Sequence, residues 1–155
     1  MMVTLDVRTL RDRVGQEIAV GEWTTISQAQ IDQFAEATGD RQWIHVDAER
    51  AARESPFKTT IAHGFLTLSL LSSCLRDAIQ FSGLRMAINY GLNKVRFVSP
   101  VPSGSRVRAR IVAGAFEEVG GGAIQITWSI TIERERSDKP ACTAEWIVRY
   151  YPADL

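Results

Sequence analysis

The sequence has few of the residues that stabilise small secreted domains or hold metal ions. Among its 155 residues are two cysteines and two histidines. Cys74 and Cys142 lie within apolar patterns, so we predict reduced, buried thiols in a cytoplasmic protein and no disulfide framework. The apolar runs are too short to span a bilayer, and charged side chains interrupt the first 20 residues. We therefore expect neither a membrane segment nor a secretion signal.

A net charge is also absent, because 18 Lys and Arg residues balance 18 Asp and Glu residues. A nucleic-acid-binding domain usually carries a clear basic excess, so this class of protein is disfavoured. The hydrophobic content of 45% and the charged content of 23% are typical of globular proteins. A chain of this length can bury about 68–70% of its unfolded surface around one core. We predict a single domain over residues 1–155.

Two helices are predicted in the first half of the chain. Ser27 begins a pattern that resembles a capping box, and Gly39 supplies a stop, so a short helix is expected between them. Residues 40–62 should form a loop with a helical turn after Asp47. From residue 64 to about residue 80, apolar side chains cover most of the helix circumference. That distribution is typical of a helix buried in the middle of a fold.

The second half of the chain changes to a period of two. Apolar and polar residues alternate at 106–111, 124–132 and 142–149, and shorter extended runs lie at 85–98 and 17–26. Three consecutive glycines, Gly120 to Gly122, should form a hairpin turn. A buried helix followed by an antiparallel meander predicts an α+β fold in which the sheet wraps around the helix. The helix fills only one face of such a sheet, so we expect a homodimer to cover the other face or an edge.

Both histidines lie where they could take part in chemistry. His45 follows Asp40 by five residues, and a carboxylate and an imidazole on one loop can divide general acid and base work on one water molecule. The alternative is a structural loop histidine. His63 precedes Gly64 at the start of the buried helix, where unpaired N–H groups and the helix dipole could polarise a carbonyl oxygen. The alternative there is a plain helix start with His63 as its cap.

Other chemistries lack their motifs. Asp40, Asp47 and the two histidines could bind a metal in principle, but no closely spaced histidine pair is present, and we predict no metal site. The sequence has no Gly-x-Ser-x-Gly elbow for serine hydrolysis and no glycine-rich loop between a strand and a helix for a nucleotide. We therefore expect no cofactor. Cys142 lies in a strand pattern, which indicates a core thiol and not a nucleophile.

One stretch of this neutral chain is strongly basic. Between Ala78 and Phe116 there is no acidic residue. The six basic residues of this window are Arg85, Lys94, Arg96, Arg106, Arg108 and Arg110. Such a run is usually a solvated strand face whose partners come from elsewhere in the fold. It could also contact the phosphates of a ligand such as coenzyme A, since arginine forms bidentate bonds with phosphate.

Three motifs, taken in order, resemble those of one family. They are ATGDRQWIHVD at residues 37–47, TIAHGF at 60–65, and NYGLNKVRF followed by PVPSG at 89–104. Together they resemble the MaoC-like dehydratases, the (R)-specific enoyl-CoA hydratases. The third motif is similar to the branch related to nodulation protein N. The resemblance spans roughly residues 17–151 and implies the hot-dog fold, a long central helix wrapped by an antiparallel sheet.

The resemblance implies roles for single residues. Asp40 and His45 match the catalytic pair that holds and activates a water molecule, and Gly64 matches the glycine whose N–H binds the thioester oxygen. Ser72, about two helical turns further on, matches a serine that supports the catalytic residues by hydrogen bonding. His63 is expected to support the site as well. The family commonly has an Asn-Pro pair between the catalytic Asp and His, whereas this chain has a Gln-Trp pair there.

The activity implied by the resemblance is the reversible addition of water to trans-2-enoyl-CoA, which gives (3R)-hydroxyacyl-CoA in fatty acid metabolism. The substrate would be an acyl-CoA or acyl-carrier thioester. Two alternatives stay open because one fold can serve several functions. An acyl-CoA thioesterase would direct the water at the thioester carbon. A non-catalytic acyl-carrier binding protein would use only the basic stretch.

Overall fold

An antiparallel sheet makes up most of the computed structural model, which describes residues 1–155. The strands are β1 (Val3–Asp6), β2 (Glu17–Val20), β3 (Thr24–Thr25), β4 (Ile79–Ser82), β5 (Leu84–Arg96), β6 (Arg106–Glu118), β7 (Ile124–Arg134) and β8 (Cys142–Pro152). Six of them form one sheet in the order β2-β6-β7-β8-β5, with β3 also paired to β6. Every pairing in this sheet is antiparallel, as the period-two pattern predicts.

The helices lie in the first half of the chain. They are α1 (Gln28–Thr38), α2 (Trp43–Val46), α3 (Ala48–Glu54), α4 (Gly64–Ser69) and α5 (Leu71–Ala78), and 3₁₀ turns occur at Val7–Arg13 and Gly120–Gly122. The glycine turn joins β6 to β7, which confirms the predicted hairpin. None of the helices combines the length and the apolar character needed to cross a membrane.

The predicted central helix is formed by α4 and α5 together. They meet at Leu70, whose backbone stays in the right-handed helical region. Leu66 and Leu75 are buried in the same core as the inward-facing residues of the sheet, which gives the predicted α+β arrangement. The helix ends at Ala78, slightly earlier than predicted, because the next residues form β4 and pair in parallel with β1. The sequence did not predict this small two-stranded sheet, because four-residue strands are too short to establish a period.

Alternation along the strands places large apolar side chains against the helix. In β7, Ile126, Trp128 and Ile130 are buried, and the residues between them face outward. The neighbouring strand β6 contains a bulge at Gly114, where the register with β7 shifts. A Cβ atom at Gly114 would lie 2.8 Å from the carbonyl oxygen of Thr127, so only glycine fits this close approach.

The connection that precedes the central helix positions the polar residues of interest. α1 begins and ends as predicted: the Ser27 hydroxyl accepts the N–H of Gln30, and Gly39 ends the helix with a φ of 81°. Residues 40–62 contain α3, which Asp47 caps, and also the single turn α2, which the sequence analysis did not predict. Short helical turns therefore hold a segment that was expected to be mostly loop.

One buried polar pair in the core makes a stability prediction. The indole N–H of Trp128 donates to the hydroxyl of Tyr150 at 2.8 Å, and both side chains are almost completely buried. In Tyr150→Phe, the buried indole N–H loses its acceptor, which should lower the free energy of unfolding by about 1–3 kcal/mol. Chemical denaturation measures this change. Tyr151→Phe removes a hydroxyl outside this pair and should change the free energy by less than about 0.5 kcal/mol; equal effects of the two substitutions would contradict the account.

Candidate active site

Asp40, His45 and His63 meet at the N-terminal end of the central helix. Asp40 follows α1, His45 lies in α2, and His63 immediately precedes α4. One side-chain atom from each residue lies within 4.8 Å of the others. Asp40 is exposed, whereas the two imidazoles are buried. The fold therefore brings together the three residues of this group that the sequence analysis selected.

The orientation of His45 is set by one backbone bond. Its Nδ1–H donates to the carbonyl oxygen of Ile61 at 2.7 Å, because a carbonyl oxygen can only accept. The neutral ring then carries its lone pair on Nε2. That nitrogen is available to take a proton from a water molecule, which is the property required of a general base.

A polar clamp that the sequence analysis missed holds the backbone of His45. The side-chain amide of Gln28 donates to the His45 carbonyl at 2.8 Å, and the amide oxygen of Gln28 accepts the Thr60 hydroxyl at 2.6 Å. The N–H of Ile61 donates to the carbonyl of Ile44 at 3.0 Å. These bonds tie α2 to the start of α1 and to the segment before α4. No sequence signal marks Gln28, which is an ordinary first residue of a helix.

His63 connects the loop that contains Asp40 to the start of the central helix. Its Nε2–H donates to the backbone carbonyl of Asp40 at 2.9 Å, and its ring stacks on His45 with the centroids 3.8 Å apart. Its Nδ1 is buried without a hydrogen-bond partner. His63 occupies the N-cap position, yet its side chain caps no helix N–H. The alternative of a hydrogen-bonded side-chain cap is therefore wrong, because the ring is engaged with Asp40.

The geometry of the two imidazoles favours proton transfer over metal binding. The planes of the His45 and His63 rings are inclined by only 22°. A metal ion binds in the plane of each imidazole, along the nitrogen lone pair, and the lone pairs of stacked rings lie in nearly parallel planes. They do not converge on one ion. The pair with Asp40 instead resembles a site that holds a water molecule and exchanges protons with it.

Burial dominates the electrostatics of His45. Desolvation lowers the pKa of the His45 imidazole, and the neighbouring His63 lowers it further, while the bond to the Ile61 carbonyl and the charge of Asp40 act in the opposite direction. The net direction is downward. His45 is therefore neutral, and able to act as a base, at neutral pH.

This direction makes a prediction for the pH dependence of turnover. A base must be unprotonated, so activity should persist as the pH falls through about 6.5, the ordinary pKa of histidine, and should decline only below it. The measurement is kcat/KM as a function of pH with a thioester substrate. An acid limb above the ordinary histidine value would contradict the assignment of His45 as a buried neutral base.

Gly64 places a free N–H beside this group. It is the first residue of α4, and its N–H has no acceptor in the helix or elsewhere in the backbone. Gly64 and His45 line the same cavity, of about 280 Å³, together with Thr67, Phe97 and Ser99. The ring of Phe97 lies 3.0 Å from the position that a Cβ atom on Gly64 would occupy. A glycine is thus needed to keep this approach to the helix end open.

Ser72 lies away from the group, contrary to the expectation that it supports the catalytic residues. It makes no side-chain hydrogen bond and lines separate cavities between the central helix and β5, next to Asn89 and Trp146. Eight residues along a helix correspond to about 12 Å of rise, with a rotation of about 80° away from Gly64. That displacement explains why Ser72 does not reach Asp40 or His45.

Most of the basic window is neutralised in the structure. Arg106 pairs with Glu135 at 3.0 Å, Arg108 pairs with Glu133 at 2.7 Å, and Arg110 pairs with Glu133 and Glu17 at 2.6 and 3.1 Å. Lys94 lies 4.0 Å from Glu145. These pairs favour the solvated strand face with partners from elsewhere in the fold. Arg85 and Arg96 are the two members of the window that form no ion pair, and the phosphate contacts of the six residues stay a prediction.

The Gln-Trp pair between Asp40 and His45 forms the start of α2. Gln42 is the N-cap residue of α2, and Trp43 is its first helical residue. The guanidinium of Arg50 lies over the Trp43 ring, 4.3 Å from its centroid. A helical turn and a cation–π contact therefore hold the segment that carries His45.

Known proteins are similar to this chain over most of its length. The model of the MaoC like domain family matches residues 10–131. The 3-hydroxyacyl-thioester dehydratase Z of Mycobacterium tuberculosis is 54% identical over 144 residues, covering 93% of this chain and 95% of that protein. Nodulation protein N of Rhizobium leguminosarum is 48% identical over 161 residues, covering 99% of this chain and 97% of that protein.

Solved structures agree with the fold. A monoamine oxidase regulatory protein from Archaeoglobus superposes with a TM-score of 0.76 at 22% identity, covering 96% of this chain and 97% of that one. An (R)-hydratase from A. caviae involved in PHA biosynthesis superposes with a TM-score of 0.66 at 27% identity, covering 87% of this chain and 94% of that one. The hot-dog fold predicted from the motifs is confirmed. The chain belongs to the MaoC-like dehydratase family and is a hydro-lyase.

Proposed function

We propose that the protein is an (R)-specific enoyl-CoA hydratase, which adds water reversibly to trans-2-enoyl-CoA and forms (3R)-hydroxyacyl-CoA. The observation that carries the proposal is that a neutral imidazole and a free helix N–H line one cavity, while the Asp40 carboxylate lies within 4.8 Å of that imidazole. The name of the mycobacterial relative, a 3-hydroxyacyl-thioester dehydratase, supports an acyl thioester as the substrate.

In the proposed reaction, Asp40 and His45 hold one water molecule between them. His45 Nε2 and the Asp40 carboxylate are the available acceptors for its protons, since His45 Nδ1 is occupied by Ile61. The water oxygen bonds to C3 of the enoyl chain and gives up one proton to this pair. The pair delivers a proton to C2, so that one molecule of water is added across the double bond. Dehydration follows the same steps in reverse.

Gly64 would stabilise the charge that develops on the substrate. When oxygen attacks C3, electron density moves onto the thioester carbonyl, which becomes enolate-like. The free N–H of Gly64 lies at the positive end of the central helix and can donate to that oxygen. His63 would support the pair, because its bond to the Asp40 carbonyl and its stacking on His45 hold both residues beside the helix end.

The proposal is tested by giving purified protein trans-2-enoyl-CoA substrates of several chain lengths. Loss of the conjugated enoyl thioester and release of free thiol are followed in parallel. We expect hydration of at least one chain length without thiol release. Free thiol in the absence of a hydroxyacyl product would instead favour the thioesterase alternative. Binding without turnover at any chain length would favour the acyl-carrier binding alternative.

We also propose that the protein acts as a homodimer formed through β5. This strand is at the edge of the sheet and is paired only with β8, so one side of its backbone is free. Met86, Ile88, Tyr90 and Leu92 are all exposed on it. A long apolar edge is a template for pairing, and a second β5 in antiparallel orientation satisfies both copies symmetrically. Light scattering should give twice the 17.3 kDa chain mass, and a monomer at micromolar concentration would contradict the proposal.

The two cysteines support the proposed location in a reducing compartment, the cytoplasm. Cys74 and Cys142 are not bonded to each other. Burial raises the pKa of each thiol to about 11, so neither is a reactive thiolate at neutral pH. Both are expected to remain reduced and to take no part in the chemistry.

A further inference from the structure

A further cavity lies at the connection between β7 and β8. Its volume is about 490 Å³, and polar side chains dominate its lining. The residues that line it are Trp23, Thr131, Glu133, Arg134, Arg136, Ser137, Asp138, Lys139 and Pro140. Neither the catalytic group nor the basic window of the sequence includes the three basic residues of this set.

These basic residues carry most of the unneutralised charge of the cavity. Glu133 is engaged by Arg108 and Arg110 on the neighbouring strand. Arg134, Arg136 and Lys139 form no ion pair, and neither does Asp138, the other acidic residue of the lining. Three unpaired positive charges therefore face one unpaired negative charge. The cavity is suited to an anion that carries more than one charge.

The guanidinium of Arg134 is only weakly engaged by the protein. Its Nε is buried and has no partner, and its Nη2 makes only a long bond of 3.4 Å to the Ser137 hydroxyl. A buried N–H of a charged group without an acceptor is costly, so such a group usually has a partner when the protein is functioning. A phosphate oxygen is a suitable acceptor, because guanidinium groups bind phosphate in bidentate geometry.

The cavity is separated from the catalytic cavity by the thickness of one chain segment. Pro140 lines the charged cavity, and the next residue, Ala141, lines the cavity of Gly64 and His45. The two walls are tied together, since the Ser99 hydroxyl donates to the Pro140 carbonyl at 2.7 Å. The five steps between consecutive residues from Arg136 to Ala141 span at most about 18 Å. A ligand with an extended arm can therefore reach from one cavity to the other.

We propose that the charged cavity binds the nucleotide phosphates of acyl-CoA through Arg134, Arg136 and Lys139 while the thioester lies at Gly64. This inference rests on the proposed function and assigns the phosphate contacts to residues outside the basic window. It requires that the enzyme uses the nucleotide end of coenzyme A for binding and the acyl end for chemistry.

Kinetics with two forms of one substrate test the proposal. In the double variant Arg136→Gln/Lys139→Gln, KM for crotonyl-CoA should rise at least tenfold at nearly constant kcat. With crotonyl-pantetheine, which has no phosphate, the variant should match the wild type. Arg53→Gln is the matched control, because Arg53 is exposed on α3 and forms no ion pair. Unchanged KM for crotonyl-CoA, or equal losses with both substrates, would overturn the proposal.

A third substrate distinguishes recognition of the nucleotide phosphates from recognition of the phosphate on the pantetheine arm. Crotonyl-phosphopantetheine carries the single phosphate that a carrier-protein arm would present. We expect the double variant to affect it less than crotonyl-CoA. If both lost affinity equally, the cavity would recognise the arm phosphate, and the assignment to the nucleotide end would be wrong.

Calorimetric binding of coenzyme A gives a readout that needs no turnover. The dissociation constant should rise at least tenfold in the double variant and stay unchanged in Arg53→Gln. A protein that binds coenzyme A in this way but hydrates no enoyl thioester would refute the proposed function and support the cavity assignment. If the wild type is an active hydratase and the double variant binds coenzyme A with unchanged affinity, the proposed function is supported and the cavity assignment is refuted.

Discussion

Replacing Asp40 by asparagine is expected to lower kcat for hydration by about 10²–10⁴-fold with the fold retained. Asn keeps the size of the side chain but cannot take a proton from the shared water. Asp40 is exposed, and its carboxylate accepts only a long bond of 3.4 Å from the N–H of Gln42, so little stability depends on its charge. Steady-state kinetics and a thermal unfolding curve of the same preparation measure the two effects separately.

The neighbouring Asp47 supplies the control for this experiment. Its carboxylate caps α3 by accepting the N–H of Arg50, a role that asparagine can also perform. Asp47→Asn should therefore leave kcat within about twofold of the wild type. A comparable loss in both variants would mean that the charge of the loop, and not Asp40 itself, supports turnover.

His45→Ala should cause a loss similar to that of Asp40→Asn. If the two residues act on one water molecule, the double variant should be hardly slower than either single variant, since residues that act as a unit are strongly non-additive. Losses that multiply would show that the two side chains contribute to separate steps.

A methyl group at Gly64 is expected to lower kcat/KM on the order of 10²-fold, comparable to the loss of one oxyanion donor. The added Cβ would meet the ring of Phe97 at 3.0 Å, so the ring must move or the cavity must narrow in front of the helix N–H. Gly64 does not have a positive φ, and alanine can adopt its backbone conformation without strain. The loss should therefore appear in activity and not in stability.

Two further variants identify the cause of that loss. Gly120→Ala is the control, because nothing lies within 4 Å of its added Cβ and its φ is not positive. It should retain full activity. Gly64→Ala combined with Phe97→Ala removes the ring that the methyl group meets, and partial recovery is expected. If Gly64→Ala retained wild-type kcat/KM, the added methyl group would not obstruct the approach to the helix N–H, and the requirement for glycine at this position would be wrong.

The elements predicted correctly from the sequence are those whose signals are local. Ser27 and Gly39 mark the ends of α1 with side-chain and backbone chemistry that acts within one turn. The long strands repeat their period often enough to be recognised, and the buried helix is apolar on most of its circumference. α2, β1 and β4 have four residues each and are stabilised by what they pack against. No pattern within so short a segment can predict them.

The site residues also divide into those that local motifs predict and those that depend on contacts between distant parts of the chain. Asp40, His45 and Gly64 were found from residue type and motif order, and the structure brings His45 and Gly64 to one cavity. The clamp by Gln28 depends on contacts between residues far apart in the sequence. The basic window was ambiguous for the same reason, since the carboxylates that neutralise it come from other strands. The expectation for Ser72 was wrong because the two helical turns between Gly64 and Ser72 displace this serine along and around the helix, away from Asp40 and His45.

The central claim is that this site adds water to an enoyl thioester with one stereochemistry. The most direct test is a chiral analysis of the product that the purified protein forms from trans-2-enoyl-CoA. We predict (3R)-hydroxyacyl-CoA from the wild type and almost none from Asp40→Asn over the same time. A (3S) or racemic product, free thiol in place of a hydroxyacyl thioester, or no product at any chain length would contradict the account.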